Sequence, residues 1–212
     1  MTKKSKRTTK LLFTFVAMVI TFCMACFGVF AATSIAYDGS GSFVYKVGAN
    51  VATTITGSYR NSENTKSGSI KFTDRETGEY VDTAVFTIEN GETTPYTNGT
   101  MQFPSILIEN LNDTYTFTFN VTNDMGDNYL NVKFSCSVNN EEHLTLSSPT
   151  YMIDTQTAAL DSAGFLVVKP GSTGIYSVTI SAADNASNLE NGFDDALYTF
   201  GLTVQRGAEY TV

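Results

Sequence analysis

The chain has 212 residues, with 21 acidic against 13 basic side chains and a formal net charge of −8 at pH 7. This acidic balance argues against nucleic acid and anionic membrane surfaces as partners, because both would repel the protein. Three cysteines are present, and two of them lie in one apolar run near the start. The sequence therefore excludes a fold that depends on a framework of disulfide bonds.

The first residues have the pattern of an export signal. Five basic side chains lie within residues 1–10, and residues 11–30 carry no charge. Small residues follow the apolar run, as a signal peptidase requires. We predict a signal peptide over residues 1–31, with cleavage near Ala31 and Ala32. The run is also long enough to span a bilayer, so a retained anchor is the alternative.

Cleavage would remove the five basic residues of the head and leave eight against 21 acidic ones, a net charge of −13 for residues 32–212. A single cysteine, Cys136, would remain, so no intrachain disulfide is possible. Eukaryotic secreted domains usually carry such bonds, and we therefore predict a secreted or cell-surface protein of a Gram-positive-type bacterium. About 180 residues are enough to bury a full core, which predicts a single domain over residues 32–212.

Alternation of apolar and polar residues predicts the main strands. It is clearest at residues 114–123 and 130–138, where every second side chain is apolar and each set would face a buried interior. These inward residues are Tyr115, Phe117, Phe119 and Val121, then Leu130, Val132, Phe134, Cys136 and Val138. Residues 123–128 between them are typical of a turn, so we expect the two strands to pair as a hairpin.

The same alternation recurs at residues 175–182 and 196–204, after a turn at Lys169-Pro170-Gly171. The sequence contains no convincing amphipathic helix, and residues 155–162 are the best candidate, at one or two turns. Further strands are predicted near residues 42–47, 51–59, 68–73, 80–89, 103–108, 143–147 and 163–168. Many short strands separated by turns are typical of a sandwich. We predict an all-β protein, an Ig-like or jelly-roll β-sandwich of about ten strands after the signal peptide.

The sequence contains no recognisable catalytic set. His143 is the only histidine, no Gly-x-Ser-x-Gly element is present, and one histidine with one cysteine does not make a zinc site. Cys136 is expected to pack in the core as a small apolar residue. We predict no enzyme activity and no cofactor. A polysaccharide hydrolase is the weakest alternative, because it needs two carboxylates held across a cleft.

Two acidic turns supply oxygen ligands of the kind that calcium prefers. One contains Asp124 and Asp127, and the other contains Asp184, Asp194 and Asp195. Neither has the spacing of an EF-hand loop, so solvated turn residues are the alternative and the metal is left open.

Exposed aromatic residues suggest a second function, because sandwich modules that bind carbohydrate stack sugars on them. Residues 32–212 contain no tryptophan but all eleven tyrosines. Those outside the clearest core faces are Tyr37, Tyr45, Tyr59, Tyr80, Tyr96 and Tyr151. A carbohydrate-binding β-sandwich module is therefore the alternative to a structural role.

The chain resembles the camelysin/TasA-type exported proteins of Gram-positive bacteria in four features. These are the basic head, the apolar signal with its alanine pair, the segment at residues 37–43 and the strand at residues 115–123. The resemblance implies a jelly-roll protein of the cell surface or biofilm matrix. Some members of that group form fibres by donating an N-terminal strand to the next subunit. Residues 42–59 would suit such a strand, which adds to an open sheet edge through main-chain hydrogen bonds.

These observations predict a structural or interaction protein that acts by surface binding or strand-mediated assembly. Its partners would be further copies of itself or components of the cell envelope or matrix. Membrane contact is expected only through an uncleaved signal segment.

Overall fold

The structure, a computed structural model, describes residues 35–36, 44–48, 50–87, 96–103, 107–108, 113–138, 144–182 and 198–211. The predicted signal peptide, with Ala31 and Ala32, lies outside these residues, as does His143. The described part consists of strands and the turns between them, which confirms the all-β class. It contains no helix long and apolar enough to cross a membrane.

The described residues form sixteen strands, of which β3, β9, β10, β15 and β16 are the longest. In chain order they are β1 (Ile35–Ala36), β2 (Val44–Val47), β3 (Ala52–Asn61), β4 (Ser67–Thr73), β5 (Tyr80–Val81), β6 (Thr83–Thr87), β7 (Tyr96–Gln102), β8 (Leu107–Ile108), β9 (Thr114–Asn123), β10 (Asn128–Val138), β11 (Leu144–Leu146), β12 (Thr150–Ile153), β13 (Gln156–Thr157), β14 (Leu166–Val168), β15 (Thr173–Ala182) and β16 (Tyr198–Glu209).

Apart from the short pair β1–β8, the strands form two sheets. In the first sheet β9 lies between β15 and β3. Strands β11 and β12 share the other side of β15, β13 pairs with β12, and β4 and β6 share the other side of β3. The second sheet has the order β7-β2-β16-β10-β14, in which β2 and β16 run parallel. Strand β4 joins the sheets, because it also pairs with β7.

Aromatic side chains fill the space between the two sheets. Phe117 and Phe119 of β9 lie 5.3 and 5.5 Å from Phe200 of β16, measured between ring centroids. Phe134 of β10 stacks on Tyr176 of β15 at 4.3 Å. Each ring belongs to the inward set of its strand, since successive side chains point to opposite faces. Two sheets that share one interior are consistent with a β-sandwich.

The four strands predicted from alternation are confirmed as β9, β10, β15 and β16, and their predicted inward residues face the core. Those of β9 are 0–2% exposed, whereas Phe134, Cys136 and Val138 at the end of β10 are only partly buried and pack against the core. The shorter predicted strands overlap β2, β3, β4, β5, β6, β8, β11 and β14. Strands β7 and β12 were not predicted.

The predicted hairpin of β9 and β10 is wrong. Strand β9 pairs with β15 and β3, while β10 pairs with β16 and β14 in the opposite sheet. Both strands turn their apolar faces toward the same interior, so the chain crosses from one sheet to the other between them. Asn123, which is fully buried at this crossing, donates hydrogen bonds from its amide to two carbonyl oxygens of the second sheet.

Residues 155–162, the best candidate for a short helix, are not helical. Residues 156 and 157 form β13, which folds back on β12 so that Ile153 pairs with Gln156. Asp154 at the turn adopts a φ of 54°, in the left-handed region that aspartate tolerates better than most residues. The turn, rather than helical periodicity, decides the structure of this segment.

Candidate functional site

Part of β10 forms an open sheet edge within the described part of the chain. Strand β14 pairs only with Leu130, Asn131 and Val132, although β10 continues to Val138 and pairs with β16 as far as that residue. Among the described residues, nothing pairs with residues 133–138 on the β14 side. This stretch therefore offers main-chain groups to a further strand.

A hydrogen bond at the start of β10 indicates which main-chain groups face the open side. The Asn123 side-chain amide donates to the carbonyl oxygens of both Asn128 and Val168, each at 2.9 Å. The Asn128 carbonyl therefore faces β14. In an antiparallel ladder the main-chain groups of successive residues face alternate sides. Phe134 and Cys136 lie six and eight residues after Asn128. Their main-chain N–H and C=O groups consequently face the same side as those of Asn128, which beyond Val132 is the open side.

A groove of about 430 Å³ opens beside this edge, between β10 of the second sheet and β11 of the first. Its lining is uncharged and combines apolar side chains with two hydroxyl groups: Cys136, Ser137, Val138, Leu144, Thr145 and Leu146. Leu144 is buried, while Cys136, Val138 and Leu146 are half-buried and pack against the core. An added strand would place alternate side chains in this groove while its main chain pairs with β10.

Cys136 lies in the groove as a free thiol, as expected for a residue that packs like a small apolar side chain. Burial raises its pKa from 9.0 to about 12. Since the thiolate is the nucleophile, we expect alkylation of folded Cys136 at pH 8 to be roughly a thousandfold slower than that of an ordinary cysteine. The rate should keep rising toward pH 12.

This prediction is checked by iodoacetamide labelling at several pH values, followed at Cys136 by mass spectrometry. Labelling in 8 M urea is the control, because the unfolded thiol has its ordinary pKa. A rate for the folded protein that already levels off near pH 9 would contradict the burial of this thiol.

The other end of β10 borders a second cavity, a cleft of about 570 Å³. Tyr129 of β10 and Tyr210, just after β16, meet there at 5.2 Å between ring centroids and 79° between ring planes. The register of β10 and β16 brings them together, and the Tyr210 main-chain N–H donates to the Asp127 carbonyl at 2.8 Å. The remaining lining residues are Ile153, Asp154, Thr155, Gln156, Thr157, Ala158, Val167 and Lys169.

Polar groups in the cleft come from the β12–β13 turn and from Lys169. The Asp154 carboxylate accepts a hydrogen bond from the Thr173 main-chain N–H at 2.9 Å. This bond, a hydrogen bond from the Ser172 side chain and the Lys169 charge lower the Asp154 pKa, so the carboxylate stays ionised. Asp154 and Lys169 thus give the cleft one negative and one positive charge. The side chain of Gln156, on the same turn as Asp154, is exposed.

The aspartates predicted to bind calcium are only partly covered by the structure. Asp124 and Asp127 lie in the turn between β9 and β10, both exposed, and Asp124 accepts a hydrogen bond from the Thr54 hydroxyl at 2.8 Å. Asp184, Asp194 and Asp195 lie outside the described residues. Within the described ranges, no three histidine, cysteine or acidic residues form a group that would hold a metal ion. Calcium binding stays a prediction.

The tyrosines singled out for sugar binding have different surroundings. Tyr59, Tyr96 and Tyr151 pack against the core, whereas Tyr80 is 47% exposed. The side chains of Tyr37 and Tyr45 lie outside the described residues. The tyrosines that share a cleft, Tyr129 and Tyr210, were not singled out. The sequence gives one signal for Tyr129: it alternates with Leu130 and so belongs to the outward set of β10.

The outer face of the first sheet carries many hydroxyl groups that bond to one another across strands. Oxygen–oxygen distances are 2.9–3.1 Å for the pairs Thr116–Thr179, Thr118–Ser177 and Thr122–Thr173. Such cross-strand pairs stabilise neighbouring strands. We therefore assign this face a structural role.

A comparison of the chain with models of known protein families and with curated proteins found no match.

Proposed function

We propose that this protein is an extracellular structural protein of a Gram-positive-type bacterium, that it catalyses no reaction, and that its copies associate by strand pairing at the open edge of β10. The observation that carries the proposal is residues 133–138, which no described strand pairs with on the β14 side, beside an uncharged groove. An edge of this kind gains main-chain hydrogen bonds when it receives a strand, and the groove receives alternate side chains.

The charge distribution favours a second copy as the occupant. Residues 134–138 carry no charge in a chain whose net charge is −8. Two copies can thus pair here without bringing acidic groups of the edge together. Natural sheets usually protect an open edge with lysine, proline or a very short strand. The neighbouring β14 has only three residues and is followed by Lys169 and Pro170. The open stretch has one lysine, Lys133 at its start, and no proline, so residues 134–138 are without such protection.

The export pattern of residues 1–31 and the resemblance to the camelysin/TasA-type proteins support an extracellular location and an Ig-like or jelly-roll layout. We propose a different pairing strand from the one that the resemblance suggests. Strands β2 and β3, which occupy most of residues 42–59, already have partners on both sides within the chain. Pairing of two β10 edges would give a closed dimer, whereas β10 on a different edge would give a fibre.

The test introduces negative charge on the exposed side chains of the open edge. We expect Ser135→Glu/Ser137→Glu to weaken association about tenfold, because like charges on adjacent paired strands repel. The exported product of the full chain is compared by size exclusion with light scattering over a range of concentrations. Association of the unaltered protein should increase with salt, which screens the acidic surfaces.

Thr203→Glu is the matched control. Thr203 lies opposite Lys133 of β10 and opposite Lys46 of β2, so both sides of β16 are paired at this position. The control variant should associate like the unaltered protein.

Main-chain amides of Phe134 and Cys136 should also exchange with deuterium rapidly in the monomer and slowly in the assembly. A protein that stays monomeric at all concentrations, or equal loss in the control, would overturn the proposal.

A further inference from the structure

We infer that the cleft between Tyr129, Tyr210 and the β12–β13 turn binds a neutral oligosaccharide. This site goes beyond the proposed self-association. It also differs from the groove in position, since Tyr129 lies at the start of β10 and Cys136 to Val138 lie at its end. Either function can therefore be present without the other.

The two tyrosines form an aromatic corner. Their ring planes are nearly perpendicular at 79°, with centroids 5.2 Å apart, so the pair presents two walls at right angles. The carbon-bound hydrogens of a pyranose ring make an apolar face that packs on such a wall, while each phenol hydroxyl still reaches a hydrogen-bond partner. Val167, Ile153 and Ala158 add apolar surface to the lining of the cleft.

Polar groups line the opposite side of the cleft, on the β12–β13 turn. Thr155, Gln156 and Thr157 are all exposed there. Within the described part of the chain, the Gln156 amide has no hydrogen-bond partner of its own. Hydroxyl and amide groups that both donate and accept suit the hydroxyl groups of a sugar. An aromatic surface with a few convergent polar groups is the usual composition of a small-ligand site.

Charge favours a neutral ligand. Lys169 and Asp154 contribute one charge of each sign, and Asp154 is held in place by Thr173. An acidic sugar would bring its charge close to Asp154 in a chain that is already acidic. A phosphorylated ligand would ordinarily be bound by arginine side chains or several convergent main-chain N–H groups, and the cleft contains a single lysine and no arginine.

The test uses the exported product of the full chain on an array of neutral, sulfated and uronic-acid oligosaccharides. We expect retention of neutral members, and the affinity for a retained sugar is then measured by calorimetry. Tyr129→Ala and Tyr210→Ala should each weaken binding about tenfold or more, because each removes one wall of the corner. Tyr210→Phe should bind nearly as well as the unaltered protein.

Two controls separate this site from general effects. Tyr80→Ala removes an exposed tyrosine outside the cleft and should leave the affinity unchanged. Ser135→Glu/Ser137→Glu should also bind normally, so failure of self-association is distinguishable from failure of this site. Thermal unfolding verifies that each variant is folded; if Tyr129→Ala is not, Gln156→Ala replaces it. Retention of no sugar, retention of acidic sugars alone, or equal loss in Tyr80→Ala would overturn the inference.

Discussion

Phe119→Ala is expected to lower the free energy of unfolding by about 3–5 kcal/mol, the range for removing a buried phenylalanine ring. The ring is 1% exposed and lies between the sheets. Its centroid is 5.5–6.2 Å from those of four other rings: Phe103, Phe134, Tyr176 and Phe200. Truncation would leave a cavity that all of them border, and paired strands on both sides of β9 limit the collapse of the site.

Urea unfolding, followed by circular dichroism, measures this effect. Phe165→Ala is the control, because the same atoms are removed from a half-buried ring whose described neighbour is the Lys133 ammonium, 5.5 Å from the ring centroid. We expect a loss of about 1 kcal/mol or less there. Equal losses for the two variants would show that Phe119 does not lie in the shared interior.

Alternation was enough to predict the long strands and their inward faces. In β9 every second residue is apolar and the others are threonine or asparagine, so a single register buries Phe117 and Phe119 together. Strand β7 was not predicted because it contains Asn98 and Gly99, residue types that usually indicate a turn. Gly99 is nevertheless paired with Tyr45 of β2. Tertiary pairing there overrides the local preference of the sequence.

Pairing partners could not be predicted in the same way. A period of two assigns each side chain to a face but does not identify the neighbouring strand. The hairpin prediction therefore depended only on the turn residues between β9 and β10, and these do not determine which strands pair. The candidate cleft was missed for a related reason. Tyr129 and Tyr210 are 81 positions apart, and only the antiparallel register of β10 and β16 brings their rings together.

Asn123→Ala should lower the free energy of unfolding by roughly 2–4 kcal/mol, because several buried main-chain groups lose their partner. The side chain is fully buried where the chain crosses between the sheets. Its amide donates to the carbonyls of Asn128 and Val168 at 2.9 Å, and its carbonyl accepts from the Met125 N–H at 3.0 Å. The two amide bonds connect the end of β9 to β10 and β14, and the third stabilises the turn that follows β9.

Asn120→Ala is the matched control on the same strand. Its side chain faces outward, is half-buried, and donates to the Thr56 hydroxyl at 3.3 Å. A single bond of that length to a partly solvated group should contribute about 0.5–1 kcal/mol. Urea unfolding compares the two variants, and amide exchange at residues 128–132 should accelerate in Asn123→Ala alone. If both variants lost the same stability, Asn123 would not hold the two sheets together at this crossing, and solvent would be supplying the hydrogen bonds of its partners.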